Sequence, residues 1–259
     1  MFALIFAAGV GSRLKPWTDS HPKALVDVDG KPMLQHVIEK IVAAGITDII
    51  INVHHFADQI KDFLRANDFG ANIRISDESG LLLETGGGLR KVVDILGAEP
   101  VLVHNADIMT DFNLHEMIEF HESAHADVTL LTASRETSRY FVFDKKGRLR
   151  GWTNVSTGQV RPEGFNILPD YRLFAFDGVH IVNPEACSLL KKFKGPEKPF
   201  SIVDFYIKFC SQLKIRSFEL PKGARWFDVG KPATLEAARK FFKECPNIVG
   251  KKREFSKIN

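Results

Sequence analysis

The sequence predicts an α/β protein with a mostly parallel central sheet and a smaller β-rich insertion. In the first half, short runs rich in Ile, Val and Leu alternate with segments of helical period. In the second half, an alternating segment that turns at Lys146-Gly147 is typical of a β-hairpin. Parallel sheets of this kind are covered on both faces and bind ligands beyond the carboxyl ends of their strands.

The first half is predicted to hold five strands with helices between them. The strands cover residues 2–8, 48–53, 71–76, 100–105 and 127–133. The helices cover about residues 33–45, 56–66, 87–96 and 113–125. In the first helix, Pro32 suits the first turn and Gly45 the end, and Asp111 is the expected cap of the last one. His121 and His125, four apart on that helix, are expected to face solvent rather than a metal.

The second half is predicted to be a hairpin followed by mixed elements. The hairpin covers 140–152, and a strand over 171–182 precedes a helix that Asn183 caps and Pro184 begins. Helices near 201–211 and 232–244 flank a strand over 214–220, and residues 153–170 are expected to be a long loop. No repeat or linker interrupts the chain, so one domain over 1–245 is favoured, followed by a basic, frayed tail at 246–259.

Composition excludes several classes of function. Among 259 residues, 35 basic and 32 acidic side chains leave a net charge of only +3, too balanced for nucleic acid as the main partner. No apolar run approaches the ~20 residues of a membrane-spanning helix, so no membrane partner is expected. The three cysteines are widely spaced and form no CxxC pair, which favours a reducing, cytoplasmic location.

The stretch "LIFAAGVGSRLKPWTDSHPKAL", residues 4–25, predicts a phosphate site. A buried strand ends at small residues, and Gly9 and Gly11 let the backbone N–H groups approach an anion. Arg13 can grip phosphate oxygens in a planar fork, and Lys23 adds a point charge. The stretch lacks the ending of a P-loop, and Leu14 occupies the third glycine position of the dinucleotide pattern. Taken alone, a strand-to-helix turn with solvated cations explains it equally well.

One carboxylate, Asp107, has a position suited to a metal, and a second, Asp228, lies in a turn. The segment "VLVHNADIMTD" places Asp107 just after the strand over 100–105, where a metal-bound phosphate would lie. Mg²⁺ prefers oxygen ligands and is usually held by one or two carboxylates plus substrate phosphates. Asp228, in "ARWFDVGKPATLEAA", follows a short apolar strand and precedes a glycine, although local capping is the alternative.

Together these motifs resemble the nucleotidyltransferases that make nucleotide sugars. The opening stretch is similar to their signature, approximately AAGxGxRLxPLTxxxPKxL, with Trp17 in place of the usual leucine. Asp107 matches the family's N-x-D motif and Asp228 its W-x-D-V-G motif, and the resemblance spans about residues 1–243. The length of the chain and the segment "LLETGGGLRK" are most similar to those of N-acetylmuramate-1-phosphate uridylyltransferases, followed by those of mannose-1-phosphate guanylyltransferases.

The resemblance implies a Rossmann-like, three-layer, GT-A-like fold, with a nucleotide-binding half at 1–135 and a sugar-binding half at 136–245. It implies that Arg13, Lys23, Asp107 and Asp228 are catalytic and that Asp107 and Asp228 bind Mg²⁺. The residues implied for the nucleotide are Ala7, Ala8, Gly9, Gly11, Ser12, Arg13, Glu84, Thr85, Gly86 and Asn105. Those implied for the sugar are Asn105, Asp177 and Gly178. The lysine that several relatives place on the sugar phosphate is missing, because no lysine lies between Lys146 and Lys191.

The expected reaction joins UTP or GTP to a sugar 1-phosphate and releases pyrophosphate. N-acetylmuramate 1-phosphate with UTP is the expected pair, which implies a role in peptidoglycan recycling, with mannose or glucose 1-phosphate as alternatives. Homo-oligomerisation is left open. A non-catalytic nucleotide-sugar sensor is the alternative from another class, and a dinucleotide oxidoreductase is disfavoured because the second strand ends at Asn52-Val53-His54 without an acid.

Overall fold

The computed structural model describes residues 1–195 and 198–244. Within them, the first seven strands are β1 Phe2–Phe6, β2 Asp27–Val28, β3 Lys31–Pro32, β4 Asp48–Val53, β5 Asn72–Asp77, β6 Val101–Asn105 and β7 Ile108–Thr110. The later strands are β8 Val128–Ala133, β9 Arg139–Phe143, β10 Leu149–Asn154, β11 Gln159–Arg161, β12 Arg172–Val182, β13 Ile215–Glu219 and β14 Trp226–Asp228. The helices are α1 Met33–Ala43, α2 Ala57–Ala66, α3 Glu84–Leu96, α4 Leu114–Ser123, α5 Pro184–Lys192, α6 Ile202–Phe209 and α7 Pro232–Glu244.

The main sheet has the order β11-β10-β9-β12-β6-β1-β4-β5, and β8 and β13 extend it from β12. Strands β6, β1, β4 and β5 are parallel, as the alternation of strands and helices predicts. Strand β12 runs antiparallel to β6, β8 and β9, and so joins the hairpin of the second half to the parallel centre. The predicted fold class is therefore confirmed.

Helices cover both faces of the sheet because side chains alternate along its strands. On β1, Leu4 packs into a cluster with residues of α3, α5 and α6. Its neighbours Ala3 and Ile5 pack on the opposite face with residues of α1, α2 and α4. All three side chains are fully buried. The result is the three-layer arrangement of helices, sheet and helices that the sequence predicts.

The β-rich insertion contains more strand than expected. Strands β9 and β10 form the predicted hairpin, and Gly147 adopts the left-handed φ of 67° that its turn requires. The expected loop over 153–170 is wrong in part, because β11 pairs antiparallel with β10 and places Arg161 opposite Trp152. Three residues are too few for an alternating pattern to be recognised, which is why the sequence does not reveal this strand.

The cap of α4 differs from the prediction. Asn113, not Asp111, caps the helix, and its side-chain oxygen accepts a hydrogen bond from the His115 N–H at 3.0 Å. Asp111 instead accepts a hydrogen bond from the Arg225 N–H at 2.7 Å. The two polar residues are neighbours in sequence, and only the tertiary contact with residue 225 distinguishes their roles.

His121 and Asn183 also differ from expectation. His121 is buried rather than solvent-facing, and its ring nitrogens contact the Thr129 hydroxyl and the Asn183 side-chain oxygen, each at 2.8 Å. Asn183 occupies the cap position of α5 without a capping hydrogen bond, because its side-chain oxygen is directed to His121 instead, while its amide donates to the Ala126 carbonyl at 2.7 Å. These contacts tie α4 and α5 together across the end of β8.

The basic tail at 246–259 lies outside the described residues. Cys187 and Cys210 are buried free thiols. Within residues 1–195 and 198–244, each helix is too short or too polar to cross a membrane.

Candidate active site

The glycine-rich loop after β1 is held open by side-chain contacts. The Asn52 side-chain oxygen accepts hydrogen bonds from the N–H groups of Ala7 at 2.7 Å and Ala8 at 3.2 Å. Gly11 has a φ of +70°, and a Cβ there would lie 2.8 Å from the Lys23 Cβ. Glycine therefore allows both the left-handed turn and the close approach of Lys23.

This loop forms one wall of a cavity of about 440 Å³ at the carboxyl ends of β1 and β6. Its lining residues are Phe6, Ala7, Ala8, Gly9, Gly11, Ser12, Arg13, Lys23, Ala24, Asn52, Leu82, Glu84, Thr85, Asn105, Ala106, Asp107, Ser201 and Gly230. The volume lies within the range of ligand pockets in proteins. The edge of the sheet is also where open α/β folds bind their ligands.

Lys23 and Asp107 form an ion pair inside this cavity. The Lys23 ammonium, on a largely buried side chain, contacts one oxygen of the Asp107 carboxylate. Asp107 lies two residues beyond the end of β6, where the parallel sheet directs it toward the loop after β1. A cation and a carboxylate from distant parts of the sequence are therefore placed side by side.

Asp228 is brought next to Asp107 by a short antiparallel pair of strands. In this pair Asp228 lies opposite Ile108, and the Val229 N–H donates to the Asp107 carbonyl at 2.9 Å. Arg13 reaches the same region, because a Cβ built on Gly230 would lie 2.7 Å from an Asp228 carboxylate oxygen and 3.1 Å from the Arg13 guanidinium carbon. Four predicted catalytic residues are thus grouped at one edge of the sheet.

The two carboxylates have the chemistry of a divalent-cation site. The Asp228 Oδ1 atom is buried and accepts no hydrogen bond from any described residue. Within the same part of the chain, no group of three or more His, Cys, Asp and Glu side chains has the arrangement of a metal site. A pair of carboxylates without further protein ligands suits Mg²⁺, which keeps water and substrate phosphates in its other positions.

The three glycines of "LLETGGG" lie inside α3 rather than before it. A Cβ on Gly86 would lie 2.8 Å from the Phe200 carbonyl oxygen and overlap its ring, and one on Gly88 would lie 2.9 Å from Glu78. Close packing therefore requires these glycines, Gly86 against the segment before α6 and Gly88 against Glu78, a structural reason that the sequence does not reveal. Glu84, in contrast, lines the cavity and has a φ of +59°, which is strained for a residue other than glycine.

A buried polar chain supports the loop and was not predicted. The Asn52 amide donates to Glu78 Oε1 at 3.0 Å, and Glu78 Oε2 accepts from the Leu83 N–H at 3.0 Å. Glu78 is only 2% exposed. These contacts connect the loop after β1 to the start of α3. The one signal in the sequence is the asparagine that interrupts the apolar strand "DIIINV".

The sugar side of the site differs from the prediction at Asp177. Its side chain is 0% exposed, and one carboxylate oxygen accepts from Arg135 Nε at 2.8 Å. Direct contact of this carboxylate with a sugar is incompatible with that burial. Burial raises the pKa of Asp177 to about 6, although the Arg135 charge opposes the rise. Gly178 has a φ of +77° and packs against Asn105, since a Cβ there would lie 2.8 Å from the Asn105 amide nitrogen.

The predicted residues separate into two groups around the cavity. Those that line it are Ala7, Ala8, Gly9, Gly11, Ser12, Arg13, Lys23, Glu84, Thr85, Asn105 and Asp107. Gly86, Asp177, Gly178 and Asp228 are not among its lining residues, in the part of the chain that the structure describes. Asp228 lies beside the cavity through its strand pairing, whereas Gly86 and Gly178 shape neighbours that do line it.

The fold and the site together define an α/β protein with a cavity at the carboxyl edge of a parallel sheet, lined by two cations and a glycine-rich loop. The nucleotidyl transferase family model matches residues 2–244. The chain belongs to this family.

Comparison with individual proteins agrees with this assignment. An N-acetylmuramate alpha-1-phosphate uridylyltransferase from Caulobacter vibrioides is 32% identical over 243 residues, which cover 91% of this chain and 94% of that protein. A mannose-1-phosphate guanyltransferase from Yarrowia lipolytica is 31% identical over 90% of this chain, which spans only 61% of that longer relative. The crystal structure of HddC from Yersinia pseudotuberculosis has the same fold, with a TM-score of 0.72, 22% identity and coverage of 93% of this chain and 99% of that one.

Proposed function

We propose that this enzyme transfers a nucleotidyl group from a nucleoside triphosphate to a sugar 1-phosphate, forming an NDP-sugar and pyrophosphate. The observation that carries the proposal is the convergence of Arg13, Lys23 and Asp107 on one cavity, with Asp228 on the adjacent strand. Both reactants are polyanions, so a site that unites them needs positive charge and backbone N–H groups at the place where their phosphates meet.

The reaction is an in-line displacement. An oxygen of the sugar 1-phosphate forms a bond to the α-phosphorus of the triphosphate, while the bond to the oxygen that bridges to the β-phosphorus breaks and pyrophosphate leaves with that electron pair. Arg13 binds phosphate oxygens through its planar guanidinium, and Lys23, oriented by Asp107, provides a localised charge. The loop after β1 contributes backbone N–H groups, and no covalent intermediate with the protein is needed.

We propose that Asp107 and Asp228 together hold Mg²⁺. Two observations support this: the pairing of β14 with β7 brings Asp228 beside Asp107, and the buried Asp228 Oδ1 accepts no hydrogen bond from the described residues. When bound, the ion would neutralise negative charge on the phosphate oxygens. The Lys23 ammonium contacts the Asp107 carboxylate and holds it in a fixed orientation.

The nucleotide base is assigned to the start of α3. Glu84 and Thr85 line the cavity, and the Thr85 hydroxyl accepts a hydrogen bond from the Ile202 N–H at 3.0 Å, which fixes it against α6. Gly86 would act indirectly, because its N–H donates to the Phe200 carbonyl at 2.8 Å and so holds the neighbouring Thr85 in place. Asn105 lies between this nucleotide side and Gly178 on the sugar side, so it is suited to contact either reactant.

The proposed substrates are UTP and N-acetylmuramate 1-phosphate. The support is the similarity to an N-acetylmuramate alpha-1-phosphate uridylyltransferase over nearly the whole length of both chains. The pair would place the protein in peptidoglycan recycling in the cytoplasm. Mannose 1-phosphate with GTP is the second candidate, supported by several guanyltransferases of 31–34% identity that extend well beyond this chain.

The test is Mg²⁺-dependent release of pyrophosphate. UTP, GTP, dTTP, CTP and ATP are each combined with the 1-phosphates of N-acetylmuramate, mannose, glucose and N-acetylglucosamine. One strongly preferred pair, with the NDP-sugar identified by mass spectrometry, is the expected result. Purified, folded protein that binds an NDP-sugar but releases no pyrophosphate from any pair would instead identify a non-catalytic sensor.

A further inference from the structure

The sugar half of the site needs a cation that the cavity lining does not supply. Among the described lining residues, the cations are Arg13 and Lys23, and both lie in the loop segment that follows β1. Lys23 is already paired with Asp107. A sugar 1-phosphate brings a dianion of its own, and a carboxylate on the sugar would add further negative charge.

Arg135 lies at the same edge of the sheet as the cavity, where the negative charge of the sugar substrate would be. It follows the carboxyl end of β8, which runs in the same direction as β6 because both pair antiparallel with β12. Its partner Asp177 precedes Gly178, the residue packed against Asn105 of the cavity. Arg135 is therefore joined to the cavity through one strand of the sheet.

The Arg135 guanidinium is held in a fixed position. Its Nε donates to Asp177 at 2.8 Å, its Nη2 donates to the Phe176 carbonyl at 3.3 Å, and its central carbon lies 4.3 Å from the Trp226 ring centroid. Trp226 is itself fixed, because its indole N–H donates to the Asp177 carbonyl at 3.0 Å. These contacts connect Arg135 to β14, the strand that ends at Asp228.

The same guanidinium keeps donors free for a ligand. The two hydrogen bonds to described residues use two of the five N–H donors that an arginine carries, and the side chain is 34% exposed. Asp177, in contrast, is fully buried, and its second oxygen accepts no hydrogen bond from the described residues. A buried carboxylate with one cation partner is a poor source of stability, so its presence beside the site favours a functional role for the pair.

We propose that Arg135 binds the anionic group of the sugar substrate, either its 1-phosphate or a carboxylate carried on the sugar. Asp177 and Trp226 are positioning residues that hold the guanidinium in place. This inference rests on the proposed function, and it supplies the sugar-side cation that the missing lysine leaves unassigned.

The test uses the whole enzyme with two substitutions, Arg135→Gln and Arg135→Lys. Pyrophosphate release is measured with N-acetylmuramate 1-phosphate and with N-acetylglucosamine 1-phosphate, which lacks the carboxylate. For Arg135→Gln, the KM for the sugar 1-phosphate should rise about 10- to 100-fold while the KM for the nucleotide stays within about twofold, and lysine should restore part of the loss. A matched control is Arg172→Gln, since Arg172 also pairs with a carboxylate and contacts an aromatic ring.

The two sugars distinguish the sources of the negative charge. An equal rise in KM for both assigns Arg135 to the 1-phosphate, and a rise confined to the muramate substrate assigns it to the carboxylate. An unchanged KM in an active Arg135→Gln enzyme, or an equal rise for nucleotide and sugar, would overturn the inference and leave the proposed function intact. Wild-type protein that is inactive with every pair would overturn both.

Discussion

Asn52 controls the shape of the phosphate loop although it is distant from it in sequence. Its side-chain oxygen accepts the N–H groups of Ala7 and Ala8, and its amide donates to Glu78. All of these groups are buried or nearly so, and buried polar groups that lose a partner are costly. A single asparagine therefore determines which backbone N–H groups of the loop remain available to a ligand.

We predict that Asn52→Ala lowers both stability and nucleotide binding. The free energy of unfolding should fall by about 1–3 kcal/mol, because two backbone donors and Glu78 lose their partner. The KM for the nucleoside triphosphate should rise more than that for the sugar. Urea unfolding and steady-state kinetics measure the two effects. Asn67→Ala is the control, since Asn67 is exposed and its amide donates to the Phe63 carbonyl of the adjacent helix; an equal effect in both variants would contradict the role given to Asn52.

Asp107 is the residue at which the proposed metal and the phosphates meet. We predict that Asp107→Asn lowers kcat on the order of 10³-fold or more, because the variant keeps the side-chain volume but loses the charge that would hold the proposed Mg²⁺ and that pairs with Lys23. Pyrophosphate release across a range of Mg²⁺ concentrations measures it. Asp58→Asn, at a side chain that is 90% exposed, should behave as wild type. Near-normal turnover of Asp107→Asn would exclude the metal role.

At the scale of single residues, the sequence predicted the charged residues of the cavity better than the residues that hold neighbouring groups in place. Arg13, Lys23 and Asp107 belong to local patterns, in which glycine, a strand end and a carboxylate or cation occur together. Glu78 and Arg135 carry no such signal, because their importance arises from partners that are far away along the chain. Asp177 was placed in the right region, but its burial depends on Arg135 and could not be inferred from its neighbours in sequence.

Helix α3 begins under unusual packing constraints. Gly86 and Gly87 both contact the segment before α6, and the Gly86 N–H donates to the Phe200 carbonyl at 2.8 Å. The sequence suggests that three glycines expose backbone to a flat ligand. The structure adds that the helix could not approach Phe200 with any larger residue at position 86, and this contact fixes Thr85 and Glu84 at the cavity.

We predict that Gly86→Ala destabilises the protein by about 1–3 kcal/mol, because the new methyl group overlaps Phe200 and one of the two segments must move. Movement at the start of α3 should also raise the KM for the nucleotide. Thermal unfolding and kinetics test both effects. Gly80→Ala, in the turn just before α3, has no atom within 4 Å of the added carbon and should leave both unchanged. A fully stable Gly86→Ala protein would show that the packing is looser than described.

Element prediction was most accurate where the pattern was long. Helix α7 has the predicted bounds, and α1 and α2 agree within a few residues, because an apolar period over ten residues or more is hard to mistake. It was least accurate for β11 and for the start of α3. In both cases tertiary pairing or packing decides the conformation of a few residues whose own preferences are weak.

Two histidines are buried on strands of the central sheet. His104 and His180 are almost fully buried on the neighbouring strands β6 and β12, and both ring nitrogens of His180 have no hydrogen-bond partner among the described residues. Burial lowers the pKa of His104 to about 4 and that of His180 to about 3, from 6.5. Both rings are therefore neutral in the folded protein at neutral pH.

This burial predicts a loss of stability in acid. Below pH 6.5 the unfolded chain binds protons at these histidines and the folded chain does not, so the free energy of unfolding falls as the pH falls toward 4. Asp177 acts in the opposite direction, because its folded pKa of about 6 lies above the ordinary value and the folded chain binds its proton first. Two histidines against one carboxyl group leave a net loss.

We predict that His180→Phe reduces this acid sensitivity. When the pH falls from 6.5 to 4, the free energy of unfolding of wild type should fall by about 3 kcal/mol more than that of the variant. The reason is that the phenylalanine ring has a similar shape but cannot bind a proton. Urea unfolding at several pH values gives the comparison. His115→Gln, at an exposed position on α4, should follow the wild-type profile. A variant with the wild-type pH dependence would assign the sensitivity to other groups.

For the molecule as a whole, the order of elements was predictable and the sheet topology only in part. Alternating strands and helices predict the parallel centre, because such connections allow few other arrangements. The pairing of β14 with β7, which brings Asp228 beside Asp107, leaves no trace in local sequence. That convergence could be anticipated only through resemblance to known enzymes.

The pairing of β14 with β7 also sets the order in which the site can be completed during synthesis. The loop with Arg13 and the strand before Asp107 emerge from the ribosome first, whereas Asp228 follows only after all the strands of the parallel centre. A nascent chain that has folded its parallel sheet still lacks the second carboxylate. Transfer activity should therefore arise only after synthesis has passed Asp228, and fragments that end before this residue should lack it.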